Sequence, residues 1–452
     1  MRWLATCAAA TVLALASSAC TTPAGPSPTG PPSPSPSASP TVTATDQPVT
    51  LRFGVYGDKA ALATYRLLAR SYTDAHPHVT IDVVASRSAA SAMAGLETSL
   101  AAGTGPDVFL ADHDAVPGLV QARAVQPVNE LLEDRDVQFG DNYQRIGLEA
   151  FSADSALQCM PADVSPLVVY YNKDLLDLRQ LQEPGEDPLT GATGWSWEQF
   201  TAAAKMMSRR GVKGLYLEPA LDTLLPLVRS AGAEMMDDVR TPATLTMADG
   251  DTRAALELIL TLARDPQVTP TRRQLARQDA LTRFENGRIG MLLGTRALTP
   301  RLREAVGLRF DVLPLPRIAR FSTLATMTGY CVSATSENTA AAADFLAYAV
   351  GTEGARIVTS AGGIVPSNIE VEHSDTFLQP GRDPRSADVF SESVRRAQST
   401  PFVTGWAPLE AALQPMIDRL FYAPVIDLDV LLPRLDARSV TYLSPPTESP
   451  SP

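Results

Sequence analysis

Lysine is nearly missing from this chain, with four residues in 452 against 34 arginines. That bias reflects a GC-rich coding sequence rather than a mechanism. Basic residues of either kind number 38 and acidic ones 50, so the net charge is −12. A phosphate backbone needs a basic surface, which excludes nucleic acid as the main partner. Cysteine is scarce too, at Cys7, Cys20, Cys159 and Cys331, with no CxxC spacing among them. Histidines 76, 78, 113 and 373 are too scattered for an obvious metal cluster, so no zinc site is expected. HExxH, GxSxG and the P-loop pattern are absent. No apolar run reaches the ~20 residues of a membrane-spanning helix.

What is there belongs to a globular, exported protein. Apolar residues make up 45% of the chain, too many for a disordered one. The N-terminus has one charge at Arg2, an apolar run from Leu4 to Ala16, and then Ser17-Ser18-Ala19-Cys20. This reads as a secretory signal over residues 1–20. Small residues ending in cysteine resemble a bacterial lipoprotein processing site, although Ser17 stands where leucine is usual. Cys20 is therefore the expected lipidation site. Residues 21–48 are rich in Pro, Ser and Thr and read as a solvated tether. Residues 444–452 read as a disordered tail. The expected location is the outer face of the cell membrane, held by lipid.

Between tether and tail, strand and helix patterns alternate, which predicts an α/β protein with largely parallel sheets. Leu51, Phe53 and Val55 alternate with Arg52 and Gly54 as in a strand. Asp58 is placed to cap a helix carrying Leu62, Tyr65, Leu68, Ala69 and Tyr72. Strands are expected near Val79–Val83, Asp107–Leu110, Leu167–Tyr171, 214–217, 288–293, 308–313 and Thr323–Ser333. Ser196 is expected to cap a helix ended by Gly211, and Asn172 and Asp174 to cap another. Further helices are expected at 250–264, 271–286, 337–351, 385–397, 407–421 and 427–438.

Six segments in order carry a resemblance. They are Gly103 to Leu110 (GTGPDVFL), Met160-Pro161 through Tyr170-Tyr171-Asn172-Lys173-Asp174-Leu175, and Trp195-Ser196-Trp197 to Phe200. Then come Phe284-Glu285-Asn286-Gly287 to Met291, Phe310 to Pro316, and Ala340 to Tyr348 with Gly362-Gly363 and Pro366. Together they resemble the family 1 extracellular solute-binding proteins of ABC importers, over roughly residues 50–425. The resemblance implies a two-lobed periplasmic-binding-protein-like fold with hinge-crossing strands and a ligand cleft between the lobes. It implies lobe one at 49–160 and 333–375, and lobe two at 164–330 and 376–443.

It also implies a function: capture of a small solute, a sugar or polyol, for delivery to the permease subunits of an ABC transporter. No cofactor is implied, and a monomer is expected. By resemblance to the family's maltose-binding members, the ligand residues are Asp58 and Lys59 after the first strand, Asp112 and Asp114 after the third, and Glu218. Arg296 and Trp406 complete the set. Each has a plainer reading: Asp58 as a helix cap, Asp114 as part of a solvated loop, Trp406 as core. A metal at Asp112-His113-Asp114 is a further option. Ala220 and Arg296 replace aromatic residues of the maltose binders, which puts maltodextrin in doubt and leaves a charged or phosphorylated ligand open at Arg296. The resemblance also sets Cys159 and Cys331 on adjacent crossing strands, where an exported protein would bond them. Two other functions remain open: a sensor or interaction lipoprotein with an eroded cleft, and a secreted hydrolase using Asp114 and Glu218 as acid and base.

Overall fold

The computed structural model describes residues 47–182, 189–190 and 192–444. The signal, most of the tether and the tail beyond Ser444 lie outside the described residues.

The first sheet begins with strand Val49–Tyr56, in which Leu51, Phe53 and Val55 point into the core. Its alternation leaves one face for helices and one for the next layer. It pairs in parallel with Val79–Ser86 on one side and Val108–Asp112 on the other. The helix between the first two strands, Lys59–Ala75, starts where the Asp58 carboxylate accepts the Ala61 N–H at 2.8 Å. Its buried face includes Tyr65, Leu68, Ala69 and Tyr72, four of the five residues its periodicity pointed to, and Leu62, the fifth, is half-buried.

The long strand Thr323–Ser333 runs antiparallel to Val108–Asp112 along one edge. It also pairs with Met160–Pro166 and Val125–Gln126 in antiparallel fashion and with Ala397–Gln398 in parallel. The second sheet has the order Phe310–Leu313, Val168–Asn172, Ile289–Gly294, Lys213–Tyr216. Its inner strands, Val168–Asn172 and Ile289–Gly294, are buried along almost their whole length. On one face lies a core of Trp195, Trp197, Phe200, Leu224, Ile259 and their neighbours.

The chain passes between the two sheets three times. The first passage is Pro166 to Val168, where the Leu167 N–H donates to Leu324 O at 2.8 Å. The second runs from Leu313 to Thr323, and the third follows Ala397–Gln398 toward helix Trp406–Tyr422. Cys159 and Cys331 are joined by a disulfide, with Cα atoms 4.4 Å apart. The pairing of Met160 with Tyr330 places them opposite each other.

The sheets are mixed rather than largely parallel, since Thr323–Ser333 runs antiparallel to Val108–Asp112 and Met160–Pro166, and Val168–Asn172 antiparallel to both its neighbours. Four local expectations differ as well. The helix opened by Ser196 ends at Met207, before Gly211, because the Ser208 hydroxyl donates to Ala204 O and accepts the Gly214 N–H. The single helix expected at 271–286 is two, Arg272–Arg277 and Ala280–Glu285, since Asp279 caps the second by accepting the Thr282 N–H. Asn172 accepts the Asp174 N–H in a turn that opens no α-helix. The helix of 385–397 is confined to Asp388–Val394, and Ala397–Gln398 pairs as a strand instead.

Candidate functional site

A pocket of about 330 Å³ opens where the first sheet's strand ends meet the segment after Ile289–Gly294. Its wall is mostly apolar, and its polar members include Tyr56, Asp58, Thr64 and Asp163, with Ala297 and Pro300 facing them from the second sheet's side. Apolar walls with a few placed polar groups are the usual make-up of a small-molecule site. Gly57 turns the chain into the pocket with φ at +146°, and a Cβ there would come within 2.9 Å of Ala61 Cβ. That turn needs glycine. Asp58 spends one oxygen on its cap. Lys59, beside it, is exposed in the first helical turn.

Asp163 is the pocket's buried carboxyl. It sits at a β-bulge, where the pairing shifts between Thr328 and Gly329. Its Oδ1 accepts from the Ser165 hydroxyl at 2.6 Å and from the Val365 N–H at 2.8 Å. Burial pushes its pKa up to about 7 despite those bonds.

Asp112 ends its strand by accepting a hydrogen bond from the Tyr56 hydroxyl. Burial raises its pKa, the Tyr56 bond lowers it, and nearby Asp114 raises it further. Asp114 follows in the turn His113–Ala115 and accepts from the Thr400 hydroxyl on the third passage between the sheets. His113 fixes this turn, with Nε2 3.1 Å from Ala150 O and Nδ1 3.1 Å from Thr400 Oγ1. The Phe402 ring packs edge-on against the His113 ring.

Glu218 is exposed in the loop after Lys213–Tyr216. Close to it lie Asp222, in the first turn of helix Leu221–Ser230, and Glu410, in helix Trp406–Tyr422. The Asp222 and Glu410 carboxyls touch, and burial followed by that contact raises Glu410 strongly. Trp406 is wholly buried in the core of the second sheet's side, with its indole N–H facing Glu410.

Asp58, Asp112 and Asp114 thus lie at the strand ends of the first sheet, and Glu218 lies in the loop after Lys213–Tyr216 of the second. Arg296 does not join them. Its guanidinium is fully buried, 4.1 Å from the Phe377 ring centroid and 5.1 Å from that of Phe390, and donates to Phe377 O. Desolvation lowers its pKa to about 10. Tyr56 and Asp163 are pocket residues that sequence reasoning missed, and it did not name the touching carboxyls Asp222 and Glu410 either. The available signal was position: Asp222 lies four residues after Glu218, and Glu410 one helical turn after Trp406.

Two sheet-centred lobes joined by three passages, with a carboxyl-bearing pocket at the strand ends, define a receptor for a small solute. The chain belongs to the bacterial extracellular solute-binding proteins, whose family profile matches residues 68–381. A Brucella abortus protein named as a binding protein is 22% identical over 323 residues, covering 69% of this chain and 73% of its own. Among solved structures, an ABC substrate-binding protein of Listeria monocytogenes in complex with cycloalternan superposes with a TM-score of 0.74 at 18% identity, covering 86% of this chain and 98% of that one. The sugar-binding protein MalE of Xanthomonas citri superposes with a TM-score of 0.73 at 18% identity, covering 87% and 97%. A maltotriose-binding protein of Thermus thermophilus gives 0.69 at 18%, covering 86% and 99%. These likenesses establish the two-lobed fold. The relatives are binding proteins rather than enzymes.

Proposed function

We propose that this chain is a lipid-anchored receptor that captures a sugar-like or polyol solute outside the cell and presents it to an ABC permease. The observation that carries this reading is the pocket between the lobes, where Asp58 and Asp163 offer carboxyl oxygens within an apolar wall. Carboxylates accept paired hydrogen bonds from hydroxyls, and apolar walls cover C–H faces. The family membership and the carbohydrate complexes of the similar structures support the ligand class. Cys20, preceded by small residues and followed by the Pro/Ser/Thr-rich stretch, is the anchor in this reading, and the folded part begins near residue 49. Lobe one is taken as 49–160 with 333–375, and lobe two as 164–330 with 376–443. Asp112, Asp114 and Glu218 line the cleft with Asp58 and Lys59, and closure over solute supplies the signal the permease reads.

The test is fractionation of cells fed a fatty-acid analogue. Wild-type chain should be labelled and held in the membrane fraction, and Cys20→Ala unlabelled and released. Solute uptake should fall in the Cys20→Ala strain. Equal labelling and equal uptake in both strains would contradict the receptor's anchoring and delivery role.

A further inference from the structure

The lining of the strand-end pocket divides by element. The first sheet and helix Lys59–Ala75, with its cap, supply the polar groups Tyr56, Asp58, Thr64, Tyr65, Asp163 and Thr328. The rest comes from helix Thr352–Thr359, the loop after it, and the segment after Ile289–Gly294. Those elements place Val358, Ala361, Gly363, Ile364, Ala297 and Pro300 on the pocket. None of these six side chains has a hydrogen-bonding atom.

Two of the polar groups are unspent. The Ser165 and Val365 bonds to Asp163 both fall on Oδ1, so Oδ2 has no partner among the described residues. The Tyr65 hydroxyl has none either, and it lies close enough to Asp163 to feel that carboxyl's charge. Tyr65 is 5% exposed and Asp163 8%, so both side chains are more than nine-tenths buried. Yet neither oxygen is sealed. Each keeps accessible surface, and both residues line the pocket. Buried polar atoms are ordinarily paired. A solute hydroxyl pairs both, by donating to Oδ2 and accepting from the Tyr65 O–H.

Size and charge narrow the solute. A volume of about 330 Å³ lies at the low end for small-molecule sites, which suits one sugar ring better than a chain of them. Two carboxyls and no basic side chain line the pocket. A phosphate or carboxylate on the solute would therefore enter without a counter-charge and beside like charge. Arg296, next to Ala297 in the chain, is enclosed by Phe377 and Phe390 and supplies none.

We propose that the solute is a 6-deoxyhexose, a neutral single-ring sugar whose hydroxyls meet Asp163, Tyr65 and Asp58 and whose methyl group lies against Val358, Ala361 and Ile364. This rests on the solute-binding reading above and narrows it. The C2 and C3 hydroxyls of such a ring lie across it from the methyl-bearing C5, which matches a pocket polar on some elements and apolar on the others. A hexose would carry its C6 hydroxyl into the apolar wall, where no side chain pairs it, and an unpaired buried hydroxyl is unfavourable. The deoxy sugar brings only apolar carbon to that wall, and its burial is favourable.

The experiment is isothermal titration of the full chain with sugars that differ only at the C6 hydroxyl. The pairs are L-fucose with L-galactose, L-rhamnose with L-mannose, D-fucose with D-galactose, and D-quinovose with D-glucose. In at least one pair the deoxy sugar should bind about tenfold or more tightly. Tyr65→Phe removes only the unpartnered hydroxyl. It should weaken both members of that pair severalfold and leave the melting temperature of the empty protein unchanged, whereas a merely structural Tyr65 would leave binding untouched. Ala361→Ser and Ile364→Thr each add a hydroxyl to the apolar wall, and at least one should narrow the preference severalfold. Deoxy and parent sugars binding equally in every pair, a preference that both wall variants leave unchanged, or wild-type affinity in Tyr65→Phe overturns the proposal and leaves the solute-binding reading standing. Tighter binding of glucose 6-phosphate or mannose 6-phosphate than of any deoxy sugar does the same. If no sugar, polyol or phosphorylated compound binds at all, the solute-binding reading fails and the proposal with it.

Discussion

Cys159 and Cys331 are bonded across the antiparallel pair that also carries Asp163, two residues beyond the Cys159–Met160–Pro161 run. Both cysteines are fully buried, so the bond staples the passage between the lobes from inside the first sheet. The bond closes a loop with a sequence separation of 172 residues. For loops of that order, chain entropy predicts a contribution of about 5 kcal/mol before native strain is counted. Replacing both cysteines by serine should therefore cost about 2–5 kcal/mol in denaturant unfolding. Neither thiol should be alkylated without prior reduction. Alkylation of both in the untreated exported protein would contradict the bond.

Asp163 predicts a pH dependence. Its folded pKa lies near 7 against an ordinary value of 3.8, so the folded state holds the proton more tightly than the unfolded chain. The unfolded chain then carries fewer protons between about pH 4 and 7, and stability falls as pH rises through that window. Each pKa unit is worth about 1.4 kcal/mol, so the loss is a few kcal/mol at most. Asp163→Asn removes the ionisation, and its stability should vary less between pH 4 and 7 than that of wild type. Asp112, Asp222 and Glu410 are raised as well and contribute in the same direction. Identical pH profiles for the two proteins would contradict the assignment.

Trp406 should behave as core. It is fully enclosed among the residues packed on the second sheet, so Trp406→Ala should cost about 3–5 kcal/mol of stability. Trp406→Phe keeps an aromatic ring in the core and loses the rest of the indole with its N–H. It should retain the fold, measured by its denaturation midpoint. An alanine variant as stable as wild type would place the ring in an open cleft instead.

Arg296 should be replaceable. Its Nε and Nη1 have no hydrogen-bond partner, and it is enclosed by two phenylalanine rings. Exchanging a buried, incompletely paired charge for an apolar side chain of similar length is often neutral or stabilising. Arg296→Met should unfold within about 1 kcal/mol of wild type or later. Arg296→Ala should be less stable than either, since it leaves a cavity. A methionine variant several kcal/mol weaker would show that the guanidinium holds the lobes together.

The contrast between Trp406, Arg296 and the aspartates shows what the sequence could express. Strand Val49–Tyr56 and the cap at Asp58 were legible because alternation and capping are local patterns. The positions of Asp112 and Asp114, at the end of the third strand and in the turn after it, were legible from a family-like segment. Nothing local signalled that Phe377 and Phe390 would close over Arg296, since both arrive from distant parts of the chain. The contact of Asp222 with Glu410 is equally non-local: two helices meet through a third passage that no periodicity encodes. The early end of the helix at Met207 was lost for a smaller reason, a serine hydroxyl that takes over one backbone acceptor and one donor.

The most direct test of the receptor account is the melting temperature of the full chain across a panel of neutral sugars, polyols, amino sugars and phosphorylated compounds. A ligand that binds only the native state must raise it, by about 2.7 kcal/mol of stability at a hundredfold excess over Kd. The account predicts a dose-dependent rise with at least one sugar-like compound, lost in Asp58→Ala, which removes a pocket carboxylate. A flat response across the whole panel, or a rise that Asp58→Ala leaves unchanged, would contradict it.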